Sequence, residues 1–335
     1  MRSQLIPAVI ALLLAAPTLR AQPGGAQSPR PIYRMAPAEV GSLIAEMRQA
    51  HPDLPDRVVA IARRNIGQPY EIYLLGESPF ESIDGQPVYC LDRSDCVVFT
   101  EHTLAMALSR DWPQFLAVLQ RIRYRNGEIG VRTRNHYTEA DWNRNNRWLA
   151  TDVTEALAGP AAARFSQDVD RAKFFRERYK LDEAIPRETI DEAYVPFEQI
   201  DAVRSSLRNG DIVNFVSGNG QKRWVGHVGL VAIGSDGAVN LIHSAKPAVR
   251  EESIDAYIAR ATADREARLA EGKSTFAGFK FLRLTADPWT ELAKIDGDAA
   301  PRVVVPKDSP VSWDEFIKTT TIPPAEPVAP VPPAE

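Results

Sequence analysis

The chain predicts an α+β fold, with helices first and an antiparallel sheet after them. Three observations point there. Apolar residues recur at helix spacing early in the chain, at Val40, Leu43, Ile44 and Met47 and again at Phe115, Leu116, Leu119 and Ile122. Short β-rich runs bounded by turn residues fill the last third, at 211–216, 225–233, 239–245 and 279–284. The two kinds of element are segregated along the chain, which argues against a doubly wound sheet.

The first 21 residues read as a secretory signal. Arg2 supplies the positive start, Leu5 to Ala16 the apolar run, and Ala21 the last residue before cleavage. Pro7 and Pro17 interrupt a run already short for a membrane span. Residues 22–34 follow as a Pro- and Gly-rich flexible linker, and 35–290 form the folded domain. Helices are expected through Val40 to Met47, after Pro55 as far as Gly67, and after Ser94 or Asp95 to about Ser109. A fourth follows Trp112-Pro113. Residues 127–202 are polar and irregular and read as an insertion, with a solvated helix at 168–180. Ser235-Asp236-Gly237 is a strong turn signal between two of the strands. Residues 291–335 form a C-terminal extension whose proline-rich end, from Pro323, is expected to run as an extended, disordered tail.

With 44% hydrophobic and 25% charged residues, the 335-residue chain has an ordinary globular balance. Its net charge of -4, without a dense basic stripe, gives no reason to expect nucleic-acid binding. No later stretch is long and apolar enough to cross a bilayer.

The two cysteines, Cys90 and Cys96, are six positions apart. Disulfides form outside the cytosol, so they are either a bridge or one reactive thiol and a bystander. Cys96 follows Ser94-Asp95 at a helix start, where the positive end of the dipole favours thiolate. Its backbone N–H is free there to face an oxyanion. The competing reading is a buried small hydrophobe. His227 and His243 lie in neighbouring strands of a chain with only five histidines. A three-residue loop at 235–237 would set His227 opposite Ala245, with His243 its same-face diagonal neighbour. An even loop would put them on opposite faces. A nucleophilic Cys needs a base, and the base needs an orienter; Cys96, His227 and His243 supply one residue for each role.

Gly67-Gln68-Pro69-Tyr70, Asp95-Cys96, Gly210-Asp211-Ile212, His227-Val228-Gly229 and Ile242-His243-Ser244 together resemble the NlpC-type cell-wall cysteine peptidases. The resemblance implies a papain-like fold, a nucleophile helix packed on an antiparallel sheet. It implies Cys96 as nucleophile, His227 as base and His243 as orienter, with Tyr70 lining the site. Val97-Val98-Phe99 depart from the small residues usual after the cysteine. The insertion, with Ile122-Arg123-Tyr124-Arg125, Arg134-Asn135-His136-Tyr137 and Asp141-Trp142, is similar to the N-acetylmuramoyl-L-alanine amidase-like branch, long labelled a domain of unknown function. The similarity spans about Pro55 to Leu284. It implies cleavage between the lactyl group of N-acetylmuramic acid and L-Ala in small peptidoglycan fragments (muropeptides), including the anhydro form. An exported enzyme of this kind acts in the periplasm.

His136, Tyr137 and Trp142 could build a sugar platform, and Arg134 with Arg123, Arg125 and Arg132 could take substrate carboxylates. The competing reading is a loop anchored by its aromatics, with arginines paired to surface acids. His102, six positions after Cys96, is expected on the surface, and His51 beside Pro52 is expected to be structural. No cofactor or metal is expected, since a close-spaced ligand pair is missing. Three further alternatives are a zinc site of Cys96, His227 and His243, a stem-peptide endopeptidase with the same triad, and a non-catalytic cell-wall-binding protein bridged by a Cys90–Cys96 disulfide.

Overall fold

A computed structural model describes residues 29–219, 222–298 and 300–321 of the chain. The signal segment, the start of the linker and the proline-rich tail lie outside the described residues. Four helices come first: α1 (Pro37–Ala50), α2 (Leu54–Arg63), α3 (Cys96–Leu108) and α4 (Trp112–Arg123). Each of the last three starts on an aspartate whose carboxylate accepts a free backbone N–H: Asp53 from Asp56, Asp95 from Val98 and Asp111 from Gln114. Proline sits in the first turn of α1, α2 and α4, where no N–H is needed.

Helix α3 is apolar almost all round, so it becomes the central helix. It packs between α2, α4 and the sheet, and from Val98 onward every residue is buried. That corrects the expectation for His102. It does point away from Cys96, but the far side of α3 is core, not solvent, and His102 is only 5% exposed. Its Nε2 accepts the Cys90 backbone N–H at 3.2 Å, and its ring packs against Phe115. Burial, with Arg123 adding to it, lowers its pKa to about 3, so the ring is neutral.

The strands are β1 (Ala150–Asp152), β2 (Ala163–Val169), β3 (Glu188–Pro196), β4 (Ile212–Asn219), β5 (Lys222–Ile233), β6 (Val239–Ala245), β7 (Ala248–Ser253) and β8 (Thr275–Leu284). They form one antiparallel sheet in the order β2-β3-β8-β4-β5-β6-β7, with β1 beside β8. Helix α5 (Arg171–Tyr179) precedes β3, and α6 (Ile254–Thr262) follows β7. Ile212, Leu230, Ile242 and Leu282 face the first four helices. Val213, Phe215, Val231, Leu241, Phe279 and Phe281 face the other way, where they pack with Ile254 and Tyr257 of α6.

The structure changes several expectations. The middle of the chain is not irregular: β2 and β3 pair as a hairpin, and β3 joins β8 at Val195↔Phe279. Their sequence is polar because β2 exposes alternate residues, burying Phe165 and Val169. The solvated helix is present as α5, which buries only Phe175. The end of the linker is also ordered. Ile32–Arg34 forms a 3₁₀ turn, the Ile32 N–H donates to the Arg64 carbonyl, and the Ile32 side chain is 1% exposed. In the extension, α7 (Pro288–Asp296) is tied by the buried Arg121–Asp296 ion pair, and α8 (Trp313–Thr321) sets Phe316 against Phe80.

The β5–β6 hairpin decides the site. Leu230 pairs with Ile242 and Ile233 with Val239, and the Gly234 N–H closes on the Ala238 carbonyl at 2.8 Å. The loop is therefore the odd one, 235–237, with Gly237 at φ 80°. Gly229 lets the strands approach: a Cβ there would lie 2.9 Å from the His243 Cβ.

Candidate active site

Cys96 is the first residue of α3, immediately after the Asp95 cap. Its sulfur receives the backbone N–H of Val228 in β5, the residue following His227. The odd loop brings the two histidines to one face. His227 Nε2 lies 2.8 Å from His243 Nδ1, and His243 Nε2 lies 2.8 Å from Glu252 Oε1. Arg250 and Arg260 also donate to Glu252. Burial pushes the Glu252 carboxyl up, but hydrogen bonds from Arg260, His243 and Arg250 outweigh it and hold the pKa at about 2.

That carboxylate orders every proton behind it. Being ionised, Glu252 only accepts, so His243 carries its proton on Nε2 and offers the Nδ1 lone pair. His227 must then donate from Nε2, which leaves its own Nδ1 as the free base. Sequence reasoning misses Glu252. It stands to His243 as His243 stands to His227, a same-face diagonal neighbour on the next strand, since His243 pairs with Arg250. The polar run Arg250-Glu251-Glu252 hides the strand that carries it.

The protonation state reverses one expectation. Burial pushes the Cys96 thiol up to about 12, with the Asp95 carboxylate adding to it. The N–H groups of Val228, Val97 and Cys96 pull the other way without prevailing. Burial, then His243 and Arg250, lowers His227 to about 3. Both shifts favour the uncharged forms, a thiol at Cys96 and a neutral imidazole at His227. In a Cys90→Ala background, alkylation of Cys96 by iodoacetamide is expected to be slow at pH 7 and to climb continuously into the alkaline range. A rate that stays flat down to pH 5 would show a preformed ion pair instead.

Both cysteines are free; the Cys90 thiol donates to Asp92 Oδ1 at 3.0 Å. Among the described residues no group of three His, Cys, Asp or Glu side chains is placed to hold a metal ion.

Tyr70 is held by its N–H on the Pro247 carbonyl and by a bridge to Ser94. Burial raises its hydroxyl pKa, and Cys96 and Asp95 add to the rise, so the Tyr70 ring lies within electrostatic reach of both. The residues expected to take sugar and carboxylate do not form an open platform. Arg134 spends its guanidinium on the Leu75 carbonyl, Asp84, Tyr179 and Glu77. His136 is bound through Nε2 to the Val131 carbonyl at 2.7 Å and packs among Phe174, Phe175 and Tyr179. Tyr137 packs on the Val169 and Ile190 cluster, with Arg171 over its ring. Trp142 is 6% exposed and donates its indole N–H to Glu101 at 3.0 Å. Glu101 is also paired with the buried Arg123, while Arg132 pairs with Glu183 at the surface. Burial raises the Glu101 pKa, and Arg123 opposes the rise. These groups are wall and frame. Trp142→Ala is accordingly expected to cost about 3–5 kcal/mol in stability, read from denaturant unfolding. A loss below about 1 kcal/mol would mean that the indole is not core.

A cleft of about 440 Å³ beside α3 is lined by Tyr73, Asp84, Phe174 and Arg178, with the Arg178 guanidinium over the Tyr73 ring. Its floor includes Asp95, Val97 and Glu101, and it shares Val97, Glu101, Asn135 and His136 with a smaller inner pocket ending at Asn214 and Val228.

Residues 60–263 match the family described as AmiA-like, N-acetylmuramoyl-L-alanine amidase-like. The fold is similar to a Legionella pneumophila protein of known structure: 19% identity, 73% of this chain and 94% of that one, TM-score 0.63. It is also similar to an N-acetylmuramoyl-L-alanine amidase from Bacteroides uniformis: 22% identity, 69% of this chain and 99% of that one, TM-score 0.53. No curated protein matches the chain.

Proposed function

Because the chain belongs to the AmiA-like, N-acetylmuramoyl-L-alanine amidase-like family, we propose that it is an exported cysteine amidase of papain-like fold. It cuts the amide between the lactyl group of N-acetylmuramic acid and L-Ala in peptidoglycan fragments. The observation that supports this reading is the relay from Glu252 through His243 to His227, on the strand whose next residue, Val228, sends its N–H to the Cys96 sulfur.

The chemistry follows from the protonation states. His227 Nδ1 takes the thiol proton as the Cys96 sulfur attacks the lactyl carbonyl carbon. The N–H groups at the start of α3 face the oxyanion that forms. His227 then returns the proton to the departing L-Ala nitrogen, the C–N bond breaks, and a thioester remains. Water, losing its proton to His227, cleaves the thioester and frees the carboxylic acid and the thiol. His243 and Glu252 take no proton in this scheme. They fix the tautomer of His227 and stabilise its imidazolium.

A largely buried proton relay favours small soluble fragments as substrate, the anhydro form among them, because the cleft is walled by Tyr73, Phe174 and Arg178. Residues 127–202 act as the insertion that supplies part of that wall. The first 21 residues act as a cleaved signal, so the enzyme works outside the cytoplasm, in the periplasm. Among the described residues no helix is long and apolar enough to cross a membrane.

Mass spectrometry of purified muropeptides after incubation tests the reading. Release of an intact peptide beginning with L-Ala, together with the free sugar acid, is the expected result. Cleavage inside the stem peptide would replace it with the endopeptidase reading.

A further inference from the structure

We propose, on the reading that the substrate is an N-acetylmuramoyl peptide, that the inner pocket is a subsite for the sugar's N-acetyl group and that the side-chain amide of Asn214 reads it. Asn214 lies on β4 and is 1% exposed. Neither its Oδ1 nor its Nδ2 has a hydrogen-bond partner among the described residues. The strands on both sides pair with its backbone, at Val228 and Lys280, so the side chain is left over, aimed at α3. A buried amide with nothing to bond weakens the fold, and such a group calls for a ligand or a water.

The pocket matches one small group. Its volume is about 50 Å³, room for a few waters or an acetamide and too little for a sugar ring. Val97, Ile212, Val228 and Trp142 give it apolar walls suited to a methyl. Asn214 offers an acceptor and a donor side by side, the complement of an amide N–H and C=O. A carboxylate would leave the acceptor unused, and an alkyl group would leave both. Glu101 does not compete, because Arg123 and Trp142 hold its two oxygens.

The pocket is also in the right place. Val97 follows Cys96, and Val228, which pairs with Asn214, sends its N–H to the Cys96 sulfur. In muramic acid the acetamido carbon neighbours the carbon that bears the lactyl ether, so a scissile amide at Cys96 keeps the acetyl group close by.

The test compares N-acetylmuramoyl-L-alanyl-D-isoglutamine with its de-N-acetylated counterpart and with the N-butanoyl analogue, for wild type and Asn214→Leu, with circular dichroism as the check on folding. Wild type is expected to lose about 10- to 100-fold in kcat/KM when the acetyl group is removed, and a similar factor when it is enlarged. In Asn214→Leu the ratio between acetylated and de-N-acetylated substrate should shrink toward one. Equal cleavage of all three by wild type overturns the subsite and leaves the amidase reading standing. So does a variant that keeps the wild-type ratio, in which case the pocket holds structural water. Cleavage of none overturns the amidase reading and the subsite with it.

Discussion

Replacing Cys96 with Ala is expected to lower muropeptide hydrolysis by a factor of roughly 10^3 or more, leaving the fold intact, while Cys90→Ala retains activity. Cys96 begins α3 behind the Asp95 cap and has the Val228 N–H on its sulfur. Cys90 donates instead to Asp92, and burial raises its pKa to about 11. Losing the sulfur removes only one small group, so the thermal midpoint should hardly move. Turnover by initial rates and folding by circular dichroism check the pair of variants. An inactive Cys90→Ala beside an active Cys96→Ala would reverse the assignment.

The second large effect is expected along the relay, and it should fall off with distance from the sulfur. His227→Ala should cost nearly as much as Cys96→Ala, since the proposed mechanism has it take the thiol proton. His243→Ala should cost less, because in that mechanism it only orients the base. Glu252→Gln should cost about 10- to 100-fold, the worth of a charge-assisted hydrogen bond. It should also move the acid limb of the kcat/KM profile to lower pH. The Glu252 charge favours the protonated form of His227, so removing it lowers that pKa and lets the base stay free in more acid solution. A purely structural Glu252 would lower the rate without moving the limb. Equal, small losses at both histidines would mean that neither serves the reaction.

Local pattern carries much of this protein. Apolar residues at helix spacing and aspartate caps are properties of a few neighbouring residues, so α1 to α4 and the placement of Cys96 at a helix start are legible in the amino-acid order alone. The turn signal at 235–237 leaves the loop parity open; the register of the folded hairpin settles it at three residues and so brings His227 and His243 to one face. Other features depend on what surrounds a residue, and only the tertiary structure decides them. Strand β7 is polar and short, so Glu252 comes into view only once β6 has a partner. The middle strands stay hidden because a sheet edge with one wet face reads as polar loop. Burial is a property of the whole packing, which is why His102 is core and why Arg134 and Trp142 are tied into the frame. For the same reason the helix dipole, a local effect, loses to desolvation at Cys96, and burial favours the protonated thiol.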